Sequence, residues 1–285
     1  MAPTLNIAAL ARRTGVPADT LRKWEQRYGV LMPGRTAGGQ RRYSDRDVAR
    51  VHWLKARLAE GYRIGEAAAL LGGTAAAAAH TAAELRDAVF GAVARTDLPS
   101  LIRFVDQALT LNEVEDALTN VISPVLTAIG DHWEQGELTV AQEHLAVGVV
   151  RAHLERLLAD VRGVVRGTAV LACAPGERHD LGLLMLAVLL RADGWEVAYL
   201  GADTPLLDSV ALAEETDARV ICLSTTMRES GERLRRELAK VRVPKAIDVI
   251  VGGRGVGRAA ARDVHARYID GNLRRSVGTL RKLAR

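Results

Sequence analysis

The side chains best suited to chemistry stand in the stretch GERHDLG, at the spacing Glu177-x-His179-x-x-Gly182. A neutral imidazole is a common metal ligand, and its second ring nitrogen usually needs a hydrogen-bonding partner. Glu177, two residues upstream, can be that partner. Gly182 lets a bulky ligand come close to the backbone. Taken alone, His179 reads as a surface histidine near a helix N-terminus, so its neighbours in the fold decide. Two other stretches supply them. CLSTT places Ser224 after an apolar run, and VGG places Gly252 and Gly253 after the next. Further upstream, HWEQGELTVAQEH holds Trp133 near the end of one helical pattern and Glu143 and His144 in the opening turns of the next. Alone, these read as a core tryptophan and a solvated Glu–His pair.

A different chemistry is written near the start. LNIAALARRTGVPADTLRKWEQRYGVL holds two short helical patterns around the turn TGVPAD, with Asp19 as the expected cap of the second. That second helix presents Arg22, Lys23, Gln26, Arg27 and Tyr28 beside apolar Leu21 and Trp24. Long hydrogen-bonding side chains on the second helix of a helix-turn-helix suit the major groove. PGRTAGGQRRYS follows, with Gly38 and Gly39 for a tight hairpin flanked by Arg35, Arg41, Arg42 and Tyr43. Such a wing suits phosphates.

The elements that must position these residues fall into three segments. Residues 1–73 form the basic head, and 74–82 read as an alanine-rich linker. Residues 83–164 are helical throughout, with helices expected at about 83–94, 98–110, 113–135 and 140–161, enough for a four-helix bundle. Thr139 and Gln142 have the spacing of a capping box at the last of these. From 165 to 285, apolar runs at 168–173, 196–200, 219–223, 248–251 and 267–269 alternate with amphipathic stretches. That alternation predicts an α/β doubly wound parallel sheet, whose ligands bind at the carboxyl edge of the strands. His179, Ser224 and Gly252–Gly253 all fall at that edge. VGGRGVGR fails the dinucleotide fingerprint, because Arg258 stands where its third glycine belongs.

Composition agrees. Hydrophobic residues make up 48% of the 285, enough for real cores. The net charge of +5 is uneven: residues 1–72 hold 13 Lys/Arg against 6 Asp/Glu, and the remainder 26 against 28. A basic first quarter on a slightly acidic remainder predicts a nucleic-acid module with a separate partner domain. Two cysteines, Cys173 and Cys222, lie inside strand-like runs and read as buried free thiols of a cytoplasmic protein. No leader and no long apolar span is seen, so secretion and membrane insertion are not expected.

The head resembles the N-terminal domain of MerR-family transcription regulators over residues 5–71, carried by Ile7, Ala8, Thr14, Gly15, Leu21, Arg22, Trp24, Glu25, Tyr28, Gly29, Pro33, Arg35, Arg42, Tyr43, Asp47 and Val48. The resemblance implies a winged helix-turn-helix that binds DNA as a dimer. The cysteine metal site of many MerR relatives is absent here, so the effector is expected in the later domains. There the chain looks like the cobalamin-binding module, with E/D-x-H-x-x-G, then a serine, then a glycine pair, behind a four-helix cap. This implies a Rossmann-like domain in which His179 is the lower axial ligand of cobalt and Ser224, Gly252 and Gly253 line the channel for the displaced nucleotide tail. The spacing of Trp133 from Glu143–His144 resembles the cap of CarH/LitR-type photoreceptor regulators. In them the tryptophan and glutamate pack over the upper face of adenosylcobalamin.

That resemblance implies a repressor rather than an enzyme. A dark tetramer binds operator DNA, and light cleaves the cobalt–carbon bond and dissociates it. One departure stands out. Relatives can carry a histidine just after the cap tryptophan, which takes the upper cobalt position after illumination; here Glu134 stands there and His132 precedes Trp133. Water, His132 and His144 are the alternatives for that position. Two rival readings remain: a MerR regulator sensing cobalamin or another ligand without light control, and a corrinoid carrier of a methyltransferase or mutase.

Overall fold

The computed structural model describes residues 5–36, 38–72, 81–159 and 166–283. It divides into two compact units, Met1–Leu138 and Thr139–Arg285.

The first unit opens with α1 (Ile7–Thr14), capped by the Asn6 side chain and ended by Gly15 at φ 67°, a left-handed backbone that suits glycine. After the turn comes α2 (Ala18–Tyr28), whose Leu21 and Trp24 are buried. Asp19 does not cap it. Pro17 occupies the cap position, and Asp19 sits in the first turn paired with Arg22 at 2.7 Å. Its carboxylate still complements the positive end of the helix from there. β1 (Gly34–Arg35) and β2 (Arg41–Arg42) pair antiparallel as the expected hairpin. α3 (Asp45–Ala59) begins with a capping box of Ser44 and Asp47, and α4 (Ile64–Gly72) follows. Leu10, Leu21, Tyr43, Val51 and Leu54 close the core of this winged helix-turn-helix with no solvent exposure.

Residues 74–80 of the expected linker lie outside the described residues. α5 (Ala82–Ala94) starts on a capping box of Thr81 and Glu84, and α6 (Leu98–Leu111) follows. The Trp53 indole N–H of α3 donates to the Asp106 carboxylate of α6. The helix expected over 113–135 is built in three pieces: α7 (Val114–Ala117), a π-helical turn at Leu118–Ile122, and α8 (Ser123–Glu134). Pro124 explains the break, because it lacks the N–H that would bond the carbonyl of Asn120. Arg86 from α5 donates to that carbonyl at 2.7 Å instead.

The second unit begins with α9 (Val140–Leu158), whose Thr139–Gln142 capping box is present as expected. Five strands then form one sheet: β3 (Thr168–Cys173), β4 (Glu196–Gly201), β5 (Val220–Ser224), β6 (Asp248–Gly252) and β7 (Arg267–Ile269). The order is β4-β3-β5-β6-β7 and every pairing is parallel. Ser224 is the last residue of its strand rather than the first after it. On one face lies α10 (Leu181–Ala192), buried continuously from Leu183 to Leu190 because α9 and α14 (Leu273–Leu283) pack over it. A helix sandwiched in this way must be apolar all round. On the other face, α11 (Leu206–Glu215), α12 (Arg228–Leu238) and α13 (Arg258–Asp263) share a core through Val210, Leu234 and Ala261. Cys173 and Cys222 are free and buried. Among the described residues no helix is long and apolar enough to cross a membrane.

Candidate functional site

Parallel strands put all five carboxyl ends at one edge, and the turn from β3 to α10 carries His179 there. Its side chain is 61% exposed. Nδ1 lies 2.5 Å from Glu177 Oε1, and the His179 backbone N–H donates to the same oxygen at 2.9 Å. The other oxygen, Oε2, accepts from the backbone N–H groups of Thr226 at 2.6 Å and Met227 at 2.8 Å, and from Ser230 Oγ at 2.8 Å. Glu177 has no solvent exposure. Burial pushes its pKa up, but the bonds from Met227, His179 and Thr226 outweigh this and hold it at about 2. The carboxylate is therefore ionised at neutral pH, and Nδ1 must carry the hydrogen. In the neutral ring this leaves the lone pair on Nε2 of the exposed side chain, the form in which an imidazole binds a metal.

The glycines around this histidine serve two ends. A Cβ on Gly253, where φ is +95°, would stand 2.0 Å from the Thr225 carbonyl, and one on Gly255 would stand 2.2 Å from that of Met227. Both keep the β6–α13 turn tight against the β5–α12 turn that feeds Glu177. At Gly252 a Cβ would meet Ile269 at 3.0 Å. Gly182 differs, because nothing beyond its own turn of α10 lies within 4 Å of a Cβ built there. Open space beside the backbone is what a bulky ligand above His179 requires. Among the described residues no three His, Cys, Asp or Glu are placed to hold a bare metal ion. A single imidazole suits a metal whose other positions its own macrocycle fills.

The spacing argument found Glu177, His179 and Gly182. It missed Thr226, Met227 and Ser230, and it missed the contacts on the other side of His179. There Asp180, 6% exposed, is gripped by Arg151 of α9 and Tyr199 of β4. The signal was present: a buried acid needs donors, and the polar run STTMRES after β5 can provide them.

The cap residues stand in different units. Trp133, near the end of α8 in the first unit, is 43% exposed. His132 stacks against Phe90 of α5 with ring centroids 4.8 Å apart, and its Nδ1 meets the Glu137 carboxylate. Glu134 is exposed. In the second unit, Glu143 and His144 pair at 3.5 Å in the first turns of α9; the His144 side chain is largely exposed and that of Glu143 half-buried.

In the head, Arg22, Lys23, Gln26 and Arg27 are exposed along α2, and Tyr28 is half-buried beneath the Arg27 guanidinium. Arg42 is half-buried and the Arg35 side chain lies outside the described residues. Arg41 is exposed and its Nε donates to Glu25 at 2.7 Å, which raises its pKa. Tyr43 corrects the expectation of a phosphate contact. It is fully buried, and its hydroxyl donates to Glu25 at 2.7 Å. Burial and that bond push the phenol well above its usual range. An aromatic at the foot of a basic wing is core here because the hairpin needs an anchor on α2.

Comparison with known proteins identifies the modules. A model of the MerR HTH family regulatory proteins matches residues 5–74, and two models described as B12 binding domains match 69–158 and 167–271. The HTH-type transcriptional repressor CarH of Myxococcus xanthus is 38% identical over 280 residues, covering 92% of this chain and 91% of that protein. The repressor CarA of the same organism is 32% identical, covering 88% and 87%. The monomethylamine corrinoid protein of Methanosarcina barkeri superposes with a TM-score of 0.59 at 19% identity, covering 71% of this chain and all of that one, which shows a shared fold. A MerR head, a helical B12-binding cap and a parallel-sheet B12-binding domain in this order make the chain a member of the CarH-type family of cobalamin-binding MerR regulators.

Proposed function

We propose that the chain is a transcriptional repressor controlled by adenosylcobalamin and light. Residues 1–73 read operator DNA, 74–82 link, 83–164 cap the corrinoid and 165–285 hold it from below. The observation that carries this reading is the locked imidazole: His179 has Nδ1 tied to a buried ionised glutamate on a largely exposed side chain, and Gly182, three residues on, has open space where a Cβ would stand. These residues fit a corrinoid that needs one nitrogen on its lower face. Ser224, Gly252 and Gly253 line the channel for the nucleotide tail. By the same reading Trp133, Glu143 and His144 would hold the adenosyl group and exclude water from it.

The cofactor supplies a cobalt–carbon bond that light cleaves. The chain's residues turn that event into a change of assembly. With the adenosyl group in place, Trp133 and Glu143 hold the cap closed and four chains assemble on the operator; without it the cap loses its filling and the tetramer dissociates. Arg22, Lys23, Gln26, Arg27 and Tyr28 of α2 enter the major groove, while Arg35, Arg41 and Arg42 of the wing lie on phosphates. Loss of tethered heads then weakens operator binding. Double-stranded operator DNA is the partner in this reading, and the cytoplasm its compartment.

One feature favours a second reading, cobalamin sensing without light control. Glu134 follows Trp133, and His132 is engaged with Phe90 and Glu137, so the illuminated state is left to water or His144. The deciding experiment keeps the protein with adenosylcobalamin in the dark and records absorption, size-exclusion profile and operator gel shift before and after green light. A dark oligomer that dissociates, releases operator and changes spectrum supports the photoreceptor. A corrinoid complex of unchanged size and affinity supports the second reading, and absence of bound corrinoid overturns both.

A further inference from the structure

His179 stands between two buried carboxylates, and each is anchored to a different part of the second unit. Glu177 is tied to the β5–α12 turn. Asp180, the residue after His179, is tied elsewhere. Its Oδ2 accepts from Arg151 Nη1 at 2.9 Å and from the Tyr199 hydroxyl at 3.0 Å, and its Oδ1 accepts from Arg151 Nη2 at 2.5 Å. The same hydroxyl lies 3.4 Å from the Asp180 backbone carbonyl. This two-pronged guanidinium–carboxylate grip fixes direction as well as distance. Arg151 belongs to α9, and seven residues before it on that helix is His144. Seven residues turn a helix by about 700°, so both lie on one face, about 10 Å apart along the axis.

We propose that Arg151 is a positioning residue for the lower ligand: with Tyr199 it fixes Asp180, and α9 thereby sets where His179 Nε2 stands. The inference rests on the assignment of His179 as the cobalt ligand. It gives α9 two duties, since Glu143 and His144 open the helix at the upper face and Arg151 holds the backbone that carries the lower ligand. A displacement of α9 at its first turns is passed to His179 through one ion pair. If the pair merely pinned α9 to the sheet, loosening it would alter stability and leave ligation intact.

The experiment loads the full chain with cob(II)inamide, a corrinoid without a nucleotide base, and reads the electron paramagnetic resonance spectrum of the frozen solution, in which an axial nitrogen, available here only from the chain, splits the cobalt lines. Wild type is expected to show the splitting and His179→Ala to lack it. Arg151→Gln is expected to bind corrinoid while the ratio of nitrogen-ligated to unligated cobalt falls about 10- to 100-fold, the range for loss of an outer-shell partner. Arg151→Lys restores little, because a point charge cannot replace the fork. Tyr199→Phe, which removes a single hydroxyl, shifts the ratio in the same direction by less. Should Arg151→Gln fold poorly, Arg151→Met with Asp180→Leu replaces the pair by apolar groups and is expected to show the same loss of splitting. Full splitting in that double variant or in Arg151→Gln overturns the inference alone. Absence of splitting in wild type, or its persistence in His179→Ala, overturns the ligand assignment and the inference with it.

Discussion

A carboxylate that accepts five hydrogen bonds and sees no solvent, as Glu177 does, is a store of pH-dependent stability. Its pKa is depressed from 4.5 to about 2 in the folded chain. A depressed acid contributes stability above its unfolded pKa and loses it as pH falls through the folded one, so this contribution is full above about pH 5 and gone near pH 2. The shift corresponds to something on the order of 3 kcal/mol. Glu177→Gln in the cofactor-free protein is expected to lower the urea midpoint at pH 7, because the amide N–H₂ opposes the donors of His179. It should also flatten the loss of stability between pH 5 and 3, and equal acid slopes in both proteins would refute the assignment. His179→Ala should instead leave the fold intact and weaken corrinoid binding, as equilibrium dialysis would read. At this scale, residue type and spacing showed what could ligate. They did not show what would be buried: Tyr43 carries the same sequence signal as its arginine neighbours, and only the packing of the wing on α2 makes it core. Ser230 and Asp180 escaped because their partners are distant in sequence.

Elements are legible where a local rule fixes them. Thr139 and Gln142 announce a helix start, and the structure has the complete capping box. That start carries Glu143 and His144, so its order matters beyond stability. Thr139→Ala removes the hydroxyl half of the box, leaving the backbone N–H of position 139 on Gln142 Oε1, and should cost about 1 kcal/mol, lowering the melting temperature of the chain by about 2–4 °C. Thr139→Ser should restore it, and scanning calorimetry decides between them. The five strands were legible because each is a short apolar run between polar turns. Two local readings gave way to competing rules. Asp19 is the type of residue that caps helices, yet Pro17 with its fixed φ takes the cap position and the helix begins two residues earlier than a cap at Asp19 would place it. Pro124 sits in an otherwise unbroken helical pattern. The resulting π turn at Leu118–Ile122 depends on Arg86, 34 positions upstream, to satisfy Asn120, which no local pattern reveals.

The whole molecule is a division of labour visible in its charge. Residues 1–72 carry 13 basic against 6 acidic side chains and the remainder 26 against 28, so the DNA-binding term is concentrated in the head. The order of modules was legible because each has its own periodicity and its own charge. Binding that rests on phosphate neutralisation falls linearly with the logarithm of salt, by about 0.9 per contact. Arg42→Ala should therefore weaken operator and random DNA alike and reduce the slope by about 1, with the cofactor spectrum unchanged. The same slope counts heads. If the dark assembly engages several heads on one operator, its slope is a multiple of that of a single head, and illumination should flatten the plot as well as shift it. Filter binding between 50 and 200 mM salt, in the dark and after green light, measures both. A light-induced loss of affinity at constant slope would mean that the same number of heads stays engaged and that light weakens a contact other than phosphate neutralisation. Parallel, superimposable plots would mean that light does not reach the DNA-binding step, and the chain would then regulate through the cofactor alone.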